Sequence, residues 1–194
     1  EPLRRQEIEL RDRMAKLDSI RSVGFILSPR ERLTKNLVAQ GRLMEAEVKA
    51  RAALRTMLSR VGKYSYGTVK YTNNLANVIA AQGRYGDAQK LLHAVFEILG
   101  KLEAPAGSAI LARARVLSAR MYAAAGDWPL AMSGYDAVKR NLAENAAVFD
   151  ELVATQPDYQ LALVRSGRSL EALQLINRQL NVQKARGAES SRLA

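Results

Sequence analysis

The sequence predicts an all-α solenoid of stacked antiparallel helix pairs, and three observations predict it. Glycine recurs with alanine five residues later: Gly41 with Ala46, Gly83 with Ala88, Gly126 with Ala131 and Gly167 with Ala172. These glycines recur at intervals of about 42 residues, a fixed period of the kind that marks a stacked array. Alanine and leucine dominate the 194 residues, aromatics are only 6%, and no long β-branched run is present, so helices are expected and sheet is not. In such an array the core is spread along the chain, with about four repeats in one domain.

The recurring residue types have a physical reason. Where two antiparallel helices meet at a tight turn, glycine takes a positive φ without steric cost. Five residues later the second helix crosses the first, and alanine lets the axes approach. Leu43, Tyr85 and Trp128, two residues after their glycines, are bulky enough to plug the end of a pair.

Apolar residues at helical spacing, Leu3, Ile8, Leu10, Met14, Leu17 and Ile20, predict an amphipathic N-terminal helix over residues 1–22, placed as the second helix of a preceding, truncated repeat. Repeat 1 spans 28–62. Ser28 is the expected N-cap and Pro29 suits the first turn; Leu33, Leu37 and Val38 lead to Gly41, and a partner helix follows from Leu43. Repeat 2 spans 67–100, with Tyr71, Leu75, Val78 and Ile79 before the turn and Leu91, Leu92, Val95, Phe96 and Leu99 after it. The segment GKLEAPAG, 100–107, is the clearest connection. Repeat 3 spans 107–142, with Ser108 as expected N-cap, and repeat 4 spans 143–184. Pro157 falls inside the fourth repeat's first helix, where a ring clash predicts a kink or restart near Thr155. The polar tail 185–194 is expected to fray.

The pattern Leu75-Ala76, Ile79, Gly83, Tyr85, Ala88, Leu92 and Val95, with its parallel at Leu117, Ala119, Tyr122, Gly126, Trp128, Ala131, Tyr135 and Val138, resembles the tetratricopeptide repeat. The usual repeat of that family is about 34 residues. The longer period and the run NNLANVIAAQGRYGDA resemble its kinesin light chain type. The resemblance covers about residues 28–183. It weakens in the outer repeats, where Thr34 and Gln160 replace the small crossing residue and Ser169 the aromatic. It implies a right-handed solenoid. HEAT and armadillo arrays share the period but do not require glycine then alanine at this spacing.

Composition narrows the function. The chain has no cysteine, which excludes disulfides and thiolate metal sites. No apolar run reaches the roughly 18 residues of a membrane span, and no signal-peptide pattern opens the chain, so a soluble, cytoplasmic protein without membrane contact is expected. Beginning at Glu1, the sequence reads as a fragment of a longer chain. The single histidine, His93, sits among Leu91, Leu92 and Val95 with no nucleophile or carboxylate motif beside it, so it reads as a partly exposed packing residue. Neither metal-ligand clustering nor a phosphate loop is evident. No enzyme, cofactor or metal is expected.

The net charge of +11 is uneven: residues 1–126 hold 22 basic and 11 acidic side chains, and 127–194 hold 8 of each. Such asymmetry points to an acidic partner. In arrays of the resembling type the first helices line a concave groove. The positions three, six, nine, ten and thirteen before the glycine then place Arg32, Lys35, Lys70, Asn73, Asn74, Asn77, Arg113, Val116, Leu117 and Arg120 in it. Asparagine amides can clamp a peptide backbone, and three of them within five helical positions cost propensity that packing does not demand. Lysine and arginine would select acidic side chains. The expected function is a protein-interaction scaffold that binds an extended, acidic peptide or partner domain. Two alternatives stand beside it. One is nucleic-acid binding by the basic first two thirds, which lacks interleaved stacking aromatics. The other is a regulatory array of a larger enzyme such as a caspase-like protease, which rests on the resemblance.

Overall fold

The computed structural model describes the backbone of residues 29–192 and side chains as far as Lys184. The helix expected over 1–22 and the Ser28 cap lie outside the described residues. Helix α1 covers 29–39. It is followed by α2 (Leu43–Val61), α3 (Tyr66–Ala81), α4 (Tyr85–Lys101), α5 (Ala109–Ala124) and α6 (Trp128–Asn141). The last repeat contains a short α7 (Ala146–Phe149), a π-helical turn (Asp150–Ala154), α8 (Pro157–Arg165) and α9 (Ser169–Arg192). No strand occurs among the described residues, and the fold is an all-α helical-repeat array.

Each pair turns in the same way. Gly41, Gly83, Gly126 and Gly167 have φ of 73°, 78°, 81° and 77°, where a side chain would be strained. Each glycine N–H bonds back three residues, as Gly83 does to Ala80, and the next N–H bonds back five, as Arg84 does to Ile79. This paired closure satisfies the carbonyls that a helix end leaves open. The alanine five residues on is at most 1% exposed in all four pairs. The α5–α6 crossing is tighter still, because a Cβ on Gly134 would lie 3.0 Å from the Ala119 Cβ.

The turn carries a second regularity, GRLMEA, GRYGDA and GRSLEA. The arginine after the glycine holds the acidic residue three positions on: Arg42 to Glu45 at 2.6 Å, Arg84 to Asp87 at 2.9 Å and Arg168 to Glu171 at 2.7 Å. In the third repeat, GDWPLA, Asp127 instead caps α6 by accepting from the Leu130 N–H. Two of the arginines also reach back to the preceding second helix. Arg84 binds the buried Glu47 of α2, and Arg168 Nη1 donates to both oxygens of Asp136 in α6 at 2.9 and 2.8 Å. Gln82 and Arg51 complete the Glu47 site, and their hydrogen bonds hold its carboxyl below the ordinary range.

The chain divides into two compact units, up to Ala104 and from Pro105. In the first, α3 is buried along most of its length through Val69, Tyr71, Leu75, Ala76, Val78 and Ile79, with Ala53, Met57 and Tyr71 forming one packed cluster. Ser65 caps α3 by accepting from the Thr68 N–H. Ser108 occupies the N-cap position of α5, but its hydroxyl makes no capping bond. In the second unit Val116, Ala119, Tyr135, Val138, Val153, Tyr159 and Leu163 share one core.

The fourth repeat departs from the others. Its first helix widens into the π turn, breaks at Thr155 and Gln156, and restarts at Pro157. The Ala154 carbonyl at the break accepts from Gln160 Nε2 at 3.2 Å and Gln179 Nε2 at 2.7 Å, so two glutamines satisfy a carbonyl that the interrupted helix would leave bare. Helix α9 runs on through Arg192, past residue 184, where the sequence reading places the start of a fraying tail. Apart from Gly187, residues 185–192 contain no strong helix breaker.

Candidate functional site

The predicted binding residues fall into separate groups. In the first unit, α1 and α3 bring Lys35 and Lys70 onto one carboxylate. Glu31 lies 3.0 Å from Lys35 Nζ and 2.6 Å from Lys70 Nζ, with its side chain only 12% exposed. Burial pushes the Glu31 carboxyl up, but hydrogen bonds and charge from Lys70 and Lys35 more than reverse this and leave it below the ordinary range. The lysines expected to select an acidic ligand are thus occupied by an internal acid, and the triad keeps a single positive charge. Lys70 Nζ also sits 5.6 Å from the centre of the Tyr71 ring. Arg32 is exposed and holds no carboxylate among the described residues.

The asparagines form a graded row on α3. Asn73 is 9% exposed, Asn74 half-buried and Asn77 exposed. Asn77 Nδ2 donates to the Asn73 carbonyl at 3.2 Å, which pins its amide along the helix. Asn73 Oδ1 and Asn74 Nδ2 are shielded from solvent and have no hydrogen-bond partner among the described residues. An acceptor and a donor on adjacent residues are therefore left unsatisfied.

In the second unit the expectation needs correcting. Val116 and Leu117 are 8% and 4% exposed, and Val116 packs in the main core. Their side chains are consumed by packing and leave little surface for a ligand. Arg120 Nε lies 2.6 Å from Asp158, and Arg113 lies 4.0 Å from Glu151. These arginines tie α5 to the first helix of the fourth repeat.

Besides Arg32, unpaired positive charge lies on other helix faces. Of thirteen lysines and arginines between residues 29 and 104, seven hold carboxylates: Lys35, Arg42, Arg51, Lys63, Lys70, Arg84 and Lys90. Those without one among the described residues include Lys49, Arg55 and Arg60, all on α2. In the first unit the predicted residues form an amide-rich face whose positive charge is confined to Arg32 and the Glu31 triad. Glu31 is the residue the sequence reading missed; its signal was an acid four positions before Lys35, at the same register as Asn73. His93 is exposed on α4. No helix among the described residues is long and apolar enough to cross a membrane.

No protein-family model and no curated protein matches the sequence. Solved structures do. A crystal structure of a Podosopora anserina putative kinesin light chain with nearly identical TPR-like repeats superposes with a TM-score of 0.62 at 19% identity, covering 82% of this chain and 75% of that one. BtubC (BKLC) from P. vanneervenii superposes with a TM-score of 0.63 at 16% identity, covering 85% of this chain and 66% of that one. By its fold, the chain is a TPR-like helical-repeat protein.

Proposed function

We propose that this chain is a non-catalytic protein-interaction scaffold whose first unit binds an extended peptide segment along α3. The observation that carries the reading is the pair of unpartnered amide atoms, Asn73 Oδ1 and Asn74 Nδ2. Leaving a shielded donor or acceptor unpaired costs roughly 1–3 kcal/mol, whereas an apolar residue of similar shape costs nothing comparable. A peptide backbone offers both complements, an N–H for Oδ1 and a C=O for Nδ2, whatever its side chains. The exposed end of the row, Asn77, extends the contact.

Selectivity for acids is confined to one place, because Glu31 already engages Lys35 and Lys70. Arg32 and the residual charge of that triad favour an acid at one position of the ligand. Nucleic-acid binding has less support: the free cations of α2 are not accompanied by an exposed aromatic row on the same helix.

The test is a screen of tiled acidic and neutral peptides against the purified chain, followed by the Asn74→Ala/Asn77→Ala double variant. Loss of two backbone hydrogen bonds weakens a hit by about tenfold or more, with helical content by circular dichroism unchanged. Affinity unaffected by the double variant refutes the assignment. Retardation of a DNA or RNA oligonucleotide with steep salt dependence favours the nucleic-acid reading instead.

A further inference from the structure

The outer face of the last helix pair is apolar and uncovered. Counting from each turn glycine, position +9 is Ala50 in α2, Leu92 in α4 and Tyr135 in α6, each at most 3% exposed; at the same place in α9, Ile176 is 38% exposed. Position +6 behaves alike: Glu47 and Met132 are buried and Gln89 is half-buried, whereas Leu173 is 54% exposed. Leu180, one turn beyond Ile176, is open too, as are Leu161 and Val164 on α8. Half of the fourteen exposed large hydrophobics among the described residues lie on these two helices. Clustering of this kind marks an interaction surface.

The second unit shows what this face is shaped to receive. One pair earlier, Tyr135 at +9 is covered by Tyr159 of α8 with ring centroids 5.0 Å apart, and Arg120, at the register of Leu161, holds Asp158 of α8. The face is a helix seat. Helix α9 does not refill its own seat at the repeat's spacing. After the earlier turns the second helix ends and a new helix begins, at Tyr66, Ala109 and Ala146. By contrast α9 is still helical at Arg192, which lies as far beyond Gly167 as Tyr66 lies beyond Gly41.

The stripe is also complementary to itself. Leu173, Ile176 and Leu180 follow the three-then-four spacing of a helix seam, and Ile176 lies next to its midpoint. Of the charged groups nearest the stripe, Glu171 is engaged by Lys139 and Arg168 and Arg178 by Asp150, while Lys184 stands one turn beyond Leu180 at its end. We propose that two copies of this chain pair through this face, α9 against α9 and antiparallel, about a two-fold axis between Ile176 and Asn177, so that Leu173 of each copy packs on Leu180 of the other. Such an interface is isologous and closes at the dimer.

Sedimentation equilibrium of the full chain tests this. The expected result is a reversible monomer–dimer equilibrium. Leu173→Lys and Leu180→Glu singly weaken it a hundredfold or more, while the double variant Leu173→Lys/Leu180→Glu recovers to within about tenfold of the parent, because each lysine then faces a glutamate across the axis. Met44→Glu, on an exposed site of α2, leaves association unchanged, and circular dichroism confirms that every variant folds. A monomer at 0.1 mM, a dimer indifferent to the single substitutions, or failure of the folded double variant to recover overturns the proposal.

Discussion

Replacing Asn73 with leucine should stabilise the first unit. The side chain is nine-tenths buried, Oδ1 has no partner among the described residues, and Val69, Ala76 and Ala80 in the α3 register are apolar, with Lys70 and Asn77 on its other flank. Leucine is only moderately larger than asparagine, so little repacking is needed. Removing the unsatisfied carbonyl returns roughly 1–3 kcal/mol, and the higher helix propensity of leucine adds about 0.5 kcal/mol. For a unit of this size each kcal/mol raises the unfolding midpoint by about 4–8 °C, which gives an expected rise of about 6 °C or more. Thermal unfolding followed by circular dichroism reads it directly. A variant whose midpoint falls instead would show that the amide serves the fold, and the binding assignment built on it would fail. A stabilised variant that also loses peptide affinity would display the exchange of stability for function expected of a binding residue.

Three further outcomes follow from the packing. Arg168→Ala strands the Asp136 carboxylate and leaves Glu171 to Lys139, and because the arginine side chain is about one-third exposed the expected cost is discounted to about 1–2 kcal/mol; denaturant unfolding of the second unit measures it, and Arg140→Ala, which has no ion pair among the described residues, is the neutral control. Ala131→Leu overpacks the α5–α6 crossing and costs roughly 1–3 kcal/mol; an unchanged midpoint would contradict the register. Acid should destabilise the fold in a defined window. The Glu47, Glu171 and Glu31 carboxyls titrate below their ordinary value of 4.5. Their contribution is fully present above that value and is lost as pH falls through the lower folded values. Stability is therefore flat from about pH 7 to 5 and declines below about 4.5, and Glu47→Gln reduces that decline; an identical acid profile in the variant would remove Glu47 as a contributor.

What could be read from the chain alone divides along a physical line. The turns were legible because a positive φ is a demand on a single residue, so Gly41, Gly83, Gly126 and Gly167 announce it without reference to anything distant. The alanine at the crossing is nearly as local. The arginine clamp was half legible: GRxx followed by an acid is visible three times in the sequence, but the reach of Arg168 to Asp136 joins distant parts of the chain and depends on how α9 sits against α6. Pro157 announced a break in its helix, yet nothing local specifies that the break is approached through a π turn and sealed by Gln160 and Gln179.

The proposed binding face was the hardest part to read, because register assigns a direction to a position but not a depth. Val116 and Asn73 occupy the same register, ten positions before their glycines; valine at that place joins the core, whereas asparagine is carried to the edge of it with its carbonyl unmet. Glu31, again at that register, answers the same situation differently by gathering Lys35 and Lys70. Three chemistries at one geometric position show that the fold tolerates an apolar residue there. Some charged residues on the first helices find internal partners, as Arg113 and Arg120 do on α5, whereas Arg32 holds no carboxylate and Arg115 Nη1 is shielded without a partner among the described residues. Asn73 and Asn74 leave an acceptor and a donor unused on adjacent residues of α3, and the proposed peptide contact rests on that pairing rather than on the basic composition of the chain.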